Sequence, residues 1–255
     1  MDFKLSPSKI DTFSDCPRLF YYRYIKKPIP EPPKKAFVIG NAVHMTLELF
    51  HSGKDLSSKA MSAAFKTAYN RYKNEKPVLN RDDWFEIKDM IKKYLKYGPK
   101  DGKVLSIEQF FSINFEGLVT INGKADRLDR DDKNNLYIVD YKTSKSVYTK
   151  KEIEKSSQLP IYAYWAKHHF GIFEDFVPKN IYGVFVFVRH LDTKKGIKKV
   201  LITDFDFDKI KERVERMISC MKMGEKSGSK AFEPNEAFKW CGYCPYRLYC
   251  LQDRW

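Results

Sequence analysis

Two aspartates and a lysine in consecutive predicted strands are the residues of this sequence best suited to chemistry. Asp126 lies in one strand, and Asp140 and Lys142 lie in the next, after a short turn. Strands joined by a turn are neighbours, and residues two apart share a face, so these three side chains can meet. Close carboxylates repel, and Mg²⁺ or Mn²⁺ between them relieves the repulsion. A divalent metal beside a lysine indicates phosphoryl chemistry.

A surface ion pair on a hairpin is the simpler explanation of this pattern, because such pairs are common and weak. Further residues favour a site instead. His44 lies in a predicted helix, and Glu108 lies in the strand before Asp126. Gln158 and Tyr162 are four residues apart and therefore share one face of a later helix. Each of these residues alone has an ordinary structural explanation.

Three cysteines cluster near the end of the chain. Cys241, Cys244 and Cys250 have the spacing C-x₂-C-x₅-C, which suggests metal binding in a protein without a disulfide framework. Three thiolates leave a four-coordinate site one ligand short, and the candidates for the fourth are Cys16 and Cys220. Four thiolates suit either Zn²⁺ or an iron–sulfur cluster, so this chemistry leaves both open.

The charge balance indicates a polyanionic partner. The chain has 255 residues, 47 Lys and Arg against 33 Asp and Glu, and a net charge of +14. An excess of this size favours nucleic acid or an anionic membrane face, although a lysine-rich solvated surface would also produce it. No apolar run approaches the roughly 18 residues of a membrane span, and residues 1–20 lack a signal-peptide pattern. We therefore expect a cytoplasmic protein that does not enter a membrane.

The order of predicted elements indicates one α/β domain over residues 1–255, with a mixed central sheet flanked by helices. A proline-rich link covers 28–33. Helical patterns are predicted at about 6–25, 36–52, 56–74, 82–97, 152–169 and 206–224. Strand patterns are predicted at 104–115, 118–129, 136–142, 180–189 and 197–204.

Five short motifs occur here in the order that is found in the RecB-type nucleases of the PD-(D/E)XK superfamily, which this chain resembles. The family pattern runs G-x-x-x-H, an acid in a strand, G-x-x-D, D-x-K and Q-x-x-x-Y. The matching residues are Gly40 to His44, Glu108, Gly123 to Asp126, Asp140 to Lys142, and Gln158 to Tyr162. The resemblance covers Ser6 to Cys250 and implies a restriction-endonuclease-like core.

The resemblance also implies roles for these residues. His44, Asp126, Asp140 and the backbone carbonyl of Tyr141 would bind Mg²⁺ or Mn²⁺, and Lys142 would orient the attacking water and stabilise developing negative charge. The family favours exonuclease action on single-stranded DNA. Gln158 and Tyr162 would position substrate or Lys142, Glu108 would support the metal site, and aromatic residues would stack on bases, among them Tyr21, Tyr22 and Tyr24.

The cysteines match a subset of this family that carries a [4Fe–4S] cluster, including AddB-type nucleases and CRISPR-associated adaptation nucleases. In that subset one cysteine near the N-terminus joins three near the C-terminus. Cys16, Cys241, Cys244 and Cys250 match this layout, which implies a cluster that clips the N-terminal helices to the C-terminal tail. The expected partners are DNA and proteins of repair, recombination or CRISPR adaptation. The alternatives are an endonuclease and a non-catalytic DNA-binding module of such a complex.

Overall fold

A computed structural model describes residues 4–27, 29–31, 34–99, 102–168 and 177–253. Its five strands are β1 (Lys103–Phe115), β2 (Val119–Arg130), β3 (Leu136–Lys142), β4 (Ile181–Phe187) and β5 (Ile197–Leu201). Its helices are α1 (Pro7–Asp15), α2 (Pro17–Phe20), α3 (Lys35–Ser52), α4 (Ser58–Tyr72), α5 (Arg81–Tyr97), α6 (Lys150–Lys155), α7 (Gln158–His168), α8 (Asp204–Ser227) and α9 (Arg247–Gln252).

The strands form one mixed sheet in the order β1-β2-β3-β4-β5. Strands β3 and β4 pair in parallel, and the other three pairs are antiparallel. A parallel pair needs a crossover connection, and α6 and α7 supply it between β3 and β4. The predicted mixed sheet with flanking helices is confirmed.

Helices cover both faces of the sheet and bury two separate apolar clusters. Helices α1, α7 and α8 pack on one face, through residues such as Phe13, Trp165 and Val214. Helices α3, α4 and α5 pack on the other face, where Val139 and Val184 of the two central strands are buried. Burial on both faces explains why β3 and β4 are nearly continuous apolar runs.

The first predicted helix is broken at Cys16. Instead of one helix over 6–25, α1 ends at Asp15, Cys16 is extended with φ −159° and ψ 110°, and α2 begins at Pro17. The ring of a proline disfavours the α region for the residue before it, so the Cys16-Pro17 pair accounts for the break between the two helices. A π-helical turn at Tyr21–Lys26 follows α2.

The helix predicted at 152–169 is also wrong as a single element. Helix α6 ends at Lys155, Ser156 is extended, and α7 begins at Gln158. Residue 169 lies outside the described residues, as do 28, 32 and 33 of the proline-rich link. Within the described part of the chain, no helix is long and apolar enough to cross a membrane.

Candidate active site

The two aspartates meet where the pairing of β2 with β3 stops. The last paired residues are Arg127 and Val139, so Asp126 comes next to Asp140 beyond the end of the ladder. There the Oδ2 atom of Asp126 accepts a hydrogen bond of 2.8 Å from the backbone N–H of Tyr141. Both carboxylates are buried, with Asp126 6% and Asp140 1% exposed. The predicted approach of the two acids is therefore present in the structure.

Lys142 and Gln158 hold the carboxylate of Asp140 between them. The ammonium of Lys142 lies 2.7 Å from Asp140 Oδ2 and donates a 2.7 Å hydrogen bond to Gln158 Oε1. The amide of Gln158 donates in turn to Asp140 Oδ1 and, at 3.1 Å, to the hydroxyl of Tyr162. Gln158 is the first residue of α7, so this helix start fixes the position of the lysine relative to the acid.

His44 reaches the same point from α3 on the opposite side. Its Nδ1 lies 3.3 Å from Asp126 Oδ1, and its Nε2 lies 3.0 Å from the backbone carbonyl of Tyr141. One imidazole thus contacts a carboxylate and a carbonyl, which the sequence resemblance assigns to the same metal. Helix α3 can place His44 there because its other face is buried in the core through residues such as Val43 and Leu47.

Glu108 completes the group from the edge strand. It lies in β1 between paired positions and adopts a left-handed φ of 51°, a conformation that costs a non-glycine residue energy. This backbone directs its carboxylate towards the site, where it forms an ion pair with Lys124 of β2. Strain of this kind persists where the surrounding structure enforces it, and it is concentrated at functional sites.

The donor set fits a divalent cation. Three possible ligand atoms, an imidazole nitrogen of His44 and one carboxylate oxygen each of Glu108 and Asp126, all lie within 4.8 Å of one another. Two carboxylates, an imidazole and the nearby carbonyl of Tyr141 are ligands that Mn²⁺ and Mg²⁺ accept. Asp140 lies outside this close group, because Gln158 and Lys142 hold its oxygens. His44, Glu108, Tyr141 and Lys142 line an open cavity of about 790 Å³, large enough for a substrate.

The environments of the two aspartates move their pKa values in opposite directions. Burial raises the pKa of Asp140, against the opposing charge of Lys142. Burial would also raise the pKa of Asp126, but the charge and hydrogen bond of His44 outweigh it and lower that pKa. Burial opposes the charge on His44 itself, yet the surrounding carboxylates raise its pKa to about 9. Asp126 and His44 are thus a charged pair in the protein without metal.

A buried network behind Tyr141 was not predicted from the sequence. Arg127 is 2% exposed, and its guanidinium donates hydrogen bonds to Asp129 at 2.6 Å and to the hydroxyl of Tyr94 at 2.6 Å. That hydroxyl lies 2.7 Å from His51 Nε2 and 3.1 Å from the hydroxyl of Tyr141. The signal available in the sequence was the spacing of Arg127 and Asp129, two residues apart and therefore on one face of the same strand.

The four cysteines predicted to act together line one cavity. Cys16, Cys241, Cys244 and Cys250 surround a volume of about 270 Å³, while Cys220 lies elsewhere, on α8. The backbone N–H of Asn235 donates a 3.3 Å hydrogen bond to Cys16 Sγ. None of the five cysteines forms a disulfide.

Aromatic packing joins the N-terminal helices to the tail and corrects one expectation. Tyr22 is 3% exposed, stacks on Tyr246 with ring centroids 5.8 Å apart, and donates a 3.0 Å hydrogen bond to the carbonyl of Tyr249. The expectation that Tyr22 stacks on bases is wrong, because this ring is used inside the protein. Tyr21 packs against Phe232 at 5.0 Å.

Comparison with known proteins places the chain in a family. Over 65 residues it is 43% identical to a subunit of the ATP-dependent helicase/deoxyribonuclease of Streptococcus uberis, a match that covers 24% of this chain and 6% of that much longer protein. The crystal structure of SSO0001 aligns with 90% of this chain and 93% of its own, at 16% identity and a TM-score of 0.32. The sequence model of the PD-(D/E)XK nuclease superfamily matches residues 4–251. Because this match spans nearly the whole chain, and the mixed sheet is that of a restriction-endonuclease-like core, the protein belongs to the PD-(D/E)XK nuclease superfamily.

Proposed function

We propose that this protein is a Mg²⁺- or Mn²⁺-dependent exonuclease that hydrolyses phosphodiester bonds in single-stranded DNA. The observation that carries the proposal is the convergence of His44, Glu108 and Asp126 on one point, beside the pair of Asp140 and Lys142. A mere surface ion pair would not bury Asp140 and Asp126 or recruit side chains from β1, α3 and α7.

The protein's own groups divide the work of hydrolysis. His44, Asp126, Asp140 and the Tyr141 carbonyl would hold the divalent ion, with Glu108 as a further acid beside it. Such an ion supplies charge neutralisation at the scissile phosphate and makes water a stronger nucleophile at neutral pH. Lys142, a cation held 2.7 Å from Asp140, orients the attacking water and stabilises the negative charge that develops on the phosphate.

Gln158 and Tyr162 act as positioning residues in this proposal. Gln158 bridges Lys142, Asp140 and the hydroxyl of Tyr162, so it sets where the ammonium points. Without this bridge the lysine side chain, with four rotatable bonds, would lose its fixed orientation.

Product analysis on end-labelled single strands tests the proposal. Incubation with Mn²⁺ should shorten 5′- or 3′-labelled oligonucleotides, and EDTA should abolish the reaction. Circular single-stranded DNA should survive, because an exonuclease needs an end. Discrete fragments from the circle would show an endonuclease instead. If no DNA is cleaved with Mg²⁺ or Mn²⁺, the result would favour the alternative function, a non-catalytic DNA-binding module.

We also propose that Cys16, Cys241, Cys244 and Cys250 hold a [4Fe–4S] cluster. All four line one cavity, and the Cys16 sulfur accepts a backbone hydrogen bond, as cluster ligands do. Four thiolates can also bind a single Zn²⁺. The preference for the cluster rests on the cysteine layout, one near the N-terminus and three near the C-terminus, which resembles that of the cluster-bearing subset of the family.

We propose the cellular pathway of this protein from its similarity to the subunit of Streptococcus uberis. That relative's name describes a subunit of a helicase and deoxyribonuclease, which supports membership of a protein complex. We expect that complex to act in repair or recombination. CRISPR adaptation is the other pathway in which we expect such a module. In either setting the chain would act in the cytoplasm as one nuclease domain over residues 1–255.

A further inference from the structure

Phe37 is an exposed aromatic side chain in the wall of the active-site cavity. It is 65% exposed, although it lies on α3, whose other face is deep in the core. Phe37, Gly40, Asn41 and His44 follow the spacing of one helix face, and all four line the cavity into which Glu108 and Lys142 also open. No apolar core explains this ring, since the helix presents it on the same side as His44.

Phe37 also lines a second cavity, so the two cavities share this residue in their walls. The second cavity has a volume of about 720 Å³ and lies between the turn after α2 and the start of α3. Its wall carries three cations, Arg23, Lys27 and Lys34, against one carboxylate, Glu31, so its net charge is positive. Arg23 is paired with Glu31, which leaves the exposed Lys27 and Lys34 as the excess charge.

The distance from Phe37 to the reacting centre is set by the helix. Phe37 and His44 are seven positions apart, which is about 10.5 Å along the axis at 1.5 Å per residue. Stacked nucleotides rise about 3.4 Å each, so this distance corresponds to about three nucleotides. A strand with its scissile phosphate at the metal ligands therefore reaches Phe37 within about three nucleotides.

We propose that Phe37 is a stacking platform for one base of the bound single strand, and that the cavity beyond it carries the strand's backbone past Lys27 and Lys34. An exposed ring followed by cations is the arrangement with which proteins hold single strands without reading their sequence. In a duplex the faces of the bases are covered by their neighbours, so a lone ring at this place fits a single strand. The proposal rests on the proposed function for its substrate class.

Binding without cleavage tests the platform. Affinity for an oligo-dT strand is measured in EDTA, so that hydrolysis plays no part. Phe37→Ala should weaken binding on the order of 5- to 150-fold, the range found for loss of one aromatic stacking partner. Phe205→Ala removes a phenylalanine of matched exposure, 66%, that lines neither cavity, and should leave affinity unchanged.

A strand without bases separates stacking from a structural effect. On an abasic strand of the same length the parent should lose the contribution of Phe37, so Phe37→Ala and the parent should bind it equally. Phe37→Trp should retain the affinity of the parent for oligo-dT, because its ring can still stack.

The cations beyond Phe37 have their own test in the salt dependence of binding. Each phosphate contact on a single strand contributes about 0.7 to the slope of log affinity against log salt. The double variant Lys27→Gln and Lys34→Gln should lower the slope by about 1.4. Lys222→Gln, on the exposed side of α8, should leave it unchanged.

Two results would overturn the platform: equal affinity of Phe37→Ala and the parent for oligo-dT, or an equal loss on the abasic strand. An unchanged salt slope in the double lysine variant would overturn the path beyond it. Failure of the proposed function has a different signature, since parent protein that binds oligo-dT through Phe37 but never cleaves DNA with Mn²⁺ would refute only the nuclease activity.

Discussion

At the scale of single residues, Asp126 and Asp140 are neighbours but differ in their contacts and in the direction of their pKa shifts. Asp126 is ionised beside His44, whereas burial raises the pKa of Asp140 and ties it to Lys142 and Gln158. Replacing either acid with alanine should therefore lower the rate of cleavage on the order of 10²- to 10⁴-fold, as should Lys142→Ala. The measurement is initial rate on labelled single strands with Mn²⁺.

Asp132→Ala is the matched control for these variants, because Asp132 is an exposed aspartate in the turn between β2 and β3. It should cleave like the parent. Binding in EDTA should survive in all the variants that lose an acid, since removing a negative charge does not weaken contacts with phosphate. Normal cleavage by Asp140→Ala would contradict the assigned site.

His51 provides a prediction about pH. Burial, together with the charge of Arg127, lowers its pKa to about 3, and its Nε2 is positioned as an acceptor from Arg127 at 2.9 Å. The unfolded chain takes up a proton near pH 6.5, while the folded protein does not, so folding is progressively opposed as pH falls from 6.5 towards 3. Urea unfolding over this range should show the parent losing stability more steeply than His51→Gln.

At each pH the free energy of unfolding of the parent is compared with that of His51→Gln. This difference cancels the contribution of the carboxylates, because they titrate in both proteins. The stability advantage of the parent over His51→Gln should thus shrink with falling pH. A constant or growing advantage between pH 6.5 and 4 would show that His51 is not held neutral by the network of Arg127 and Tyr94.

At the scale of secondary-structure elements, one glycine sets how closely β1, β2 and α7 approach. A methyl group on Gly123 would clash with the ring of Phe111 and lie 3.0 Å from Cε1 of Tyr162. Gly123→Ala should therefore destabilise the fold by about 1–3 kcal/mol, the usual cost of overpacking. It should also reduce cleavage, because Tyr162 hydrogen-bonds Gln158, the residue that we propose positions Lys142. Thermal unfolding and initial rates measure the two effects.

Gly40 belongs to a similar short motif but has no such constraint, so it serves as the control. Its added methyl group would meet Thr143 Oγ1 at an ordinary 3.5 Å, and it lies inside α3. Gly40→Ala should stabilise the fold by about 0.5–1 kcal/mol through helix propensity. If both alanine variants unfold at the same temperature, the close approach of Phe111 and Tyr162 does not explain why position 123 is glycine.

At the scale of the whole molecule, the proposed cluster would tie together residues that lie 225 positions apart, from Cys16 to Cys241. Closing so long a loop stabilises a fold by roughly 4–5 kcal/mol in the simplest cross-link model. Cys16→Ala should therefore lose iron, the brown colour and several kcal/mol of stability, as measured by iron analysis, absorbance and urea unfolding.

Cys220→Ala is the matched control, because this half-buried thiol of α8 lies outside the cavity of the four cysteines. It should keep iron and activity. Zinc without iron after anaerobic purification would contradict the cluster. Loss of iron in Cys220→Ala with retention in Cys16→Ala would contradict the choice of ligands.

The net charge of +14 gives a prediction for DNA binding as a whole. If about six phosphates are contacted on a single strand, affinity should fall on the order of 10²- to 10³-fold between 50 and 200 mM salt. Titrations of a labelled oligonucleotide in EDTA measure this slope. A nearly flat dependence would mean that the lysines are only a solvated surface.

The fold class and the closeness of several candidate site residues could be predicted from the sequence, for local reasons. Alternating and continuous apolar runs specify strands whatever surrounds them, and the period of two places Asp140 and Lys142 on one face of β3. The spacing of four places Gln158 and Tyr162 together on α7, where the structure shows them hydrogen-bonded. The break at Cys16 was equally local, because Pro17 alone accounts for it.

Features that depend on residues far apart in the chain came from the tertiary structure alone. The left-handed backbone of Glu108 and the network around Arg127 arise from packing between elements. Packing likewise buried Tyr22 while it left Phe37 exposed, although both are aromatic residues near the N-terminus. A sequence states which side chains are available, but a contact forms only where the whole fold brings two distant surfaces within a few ångströms.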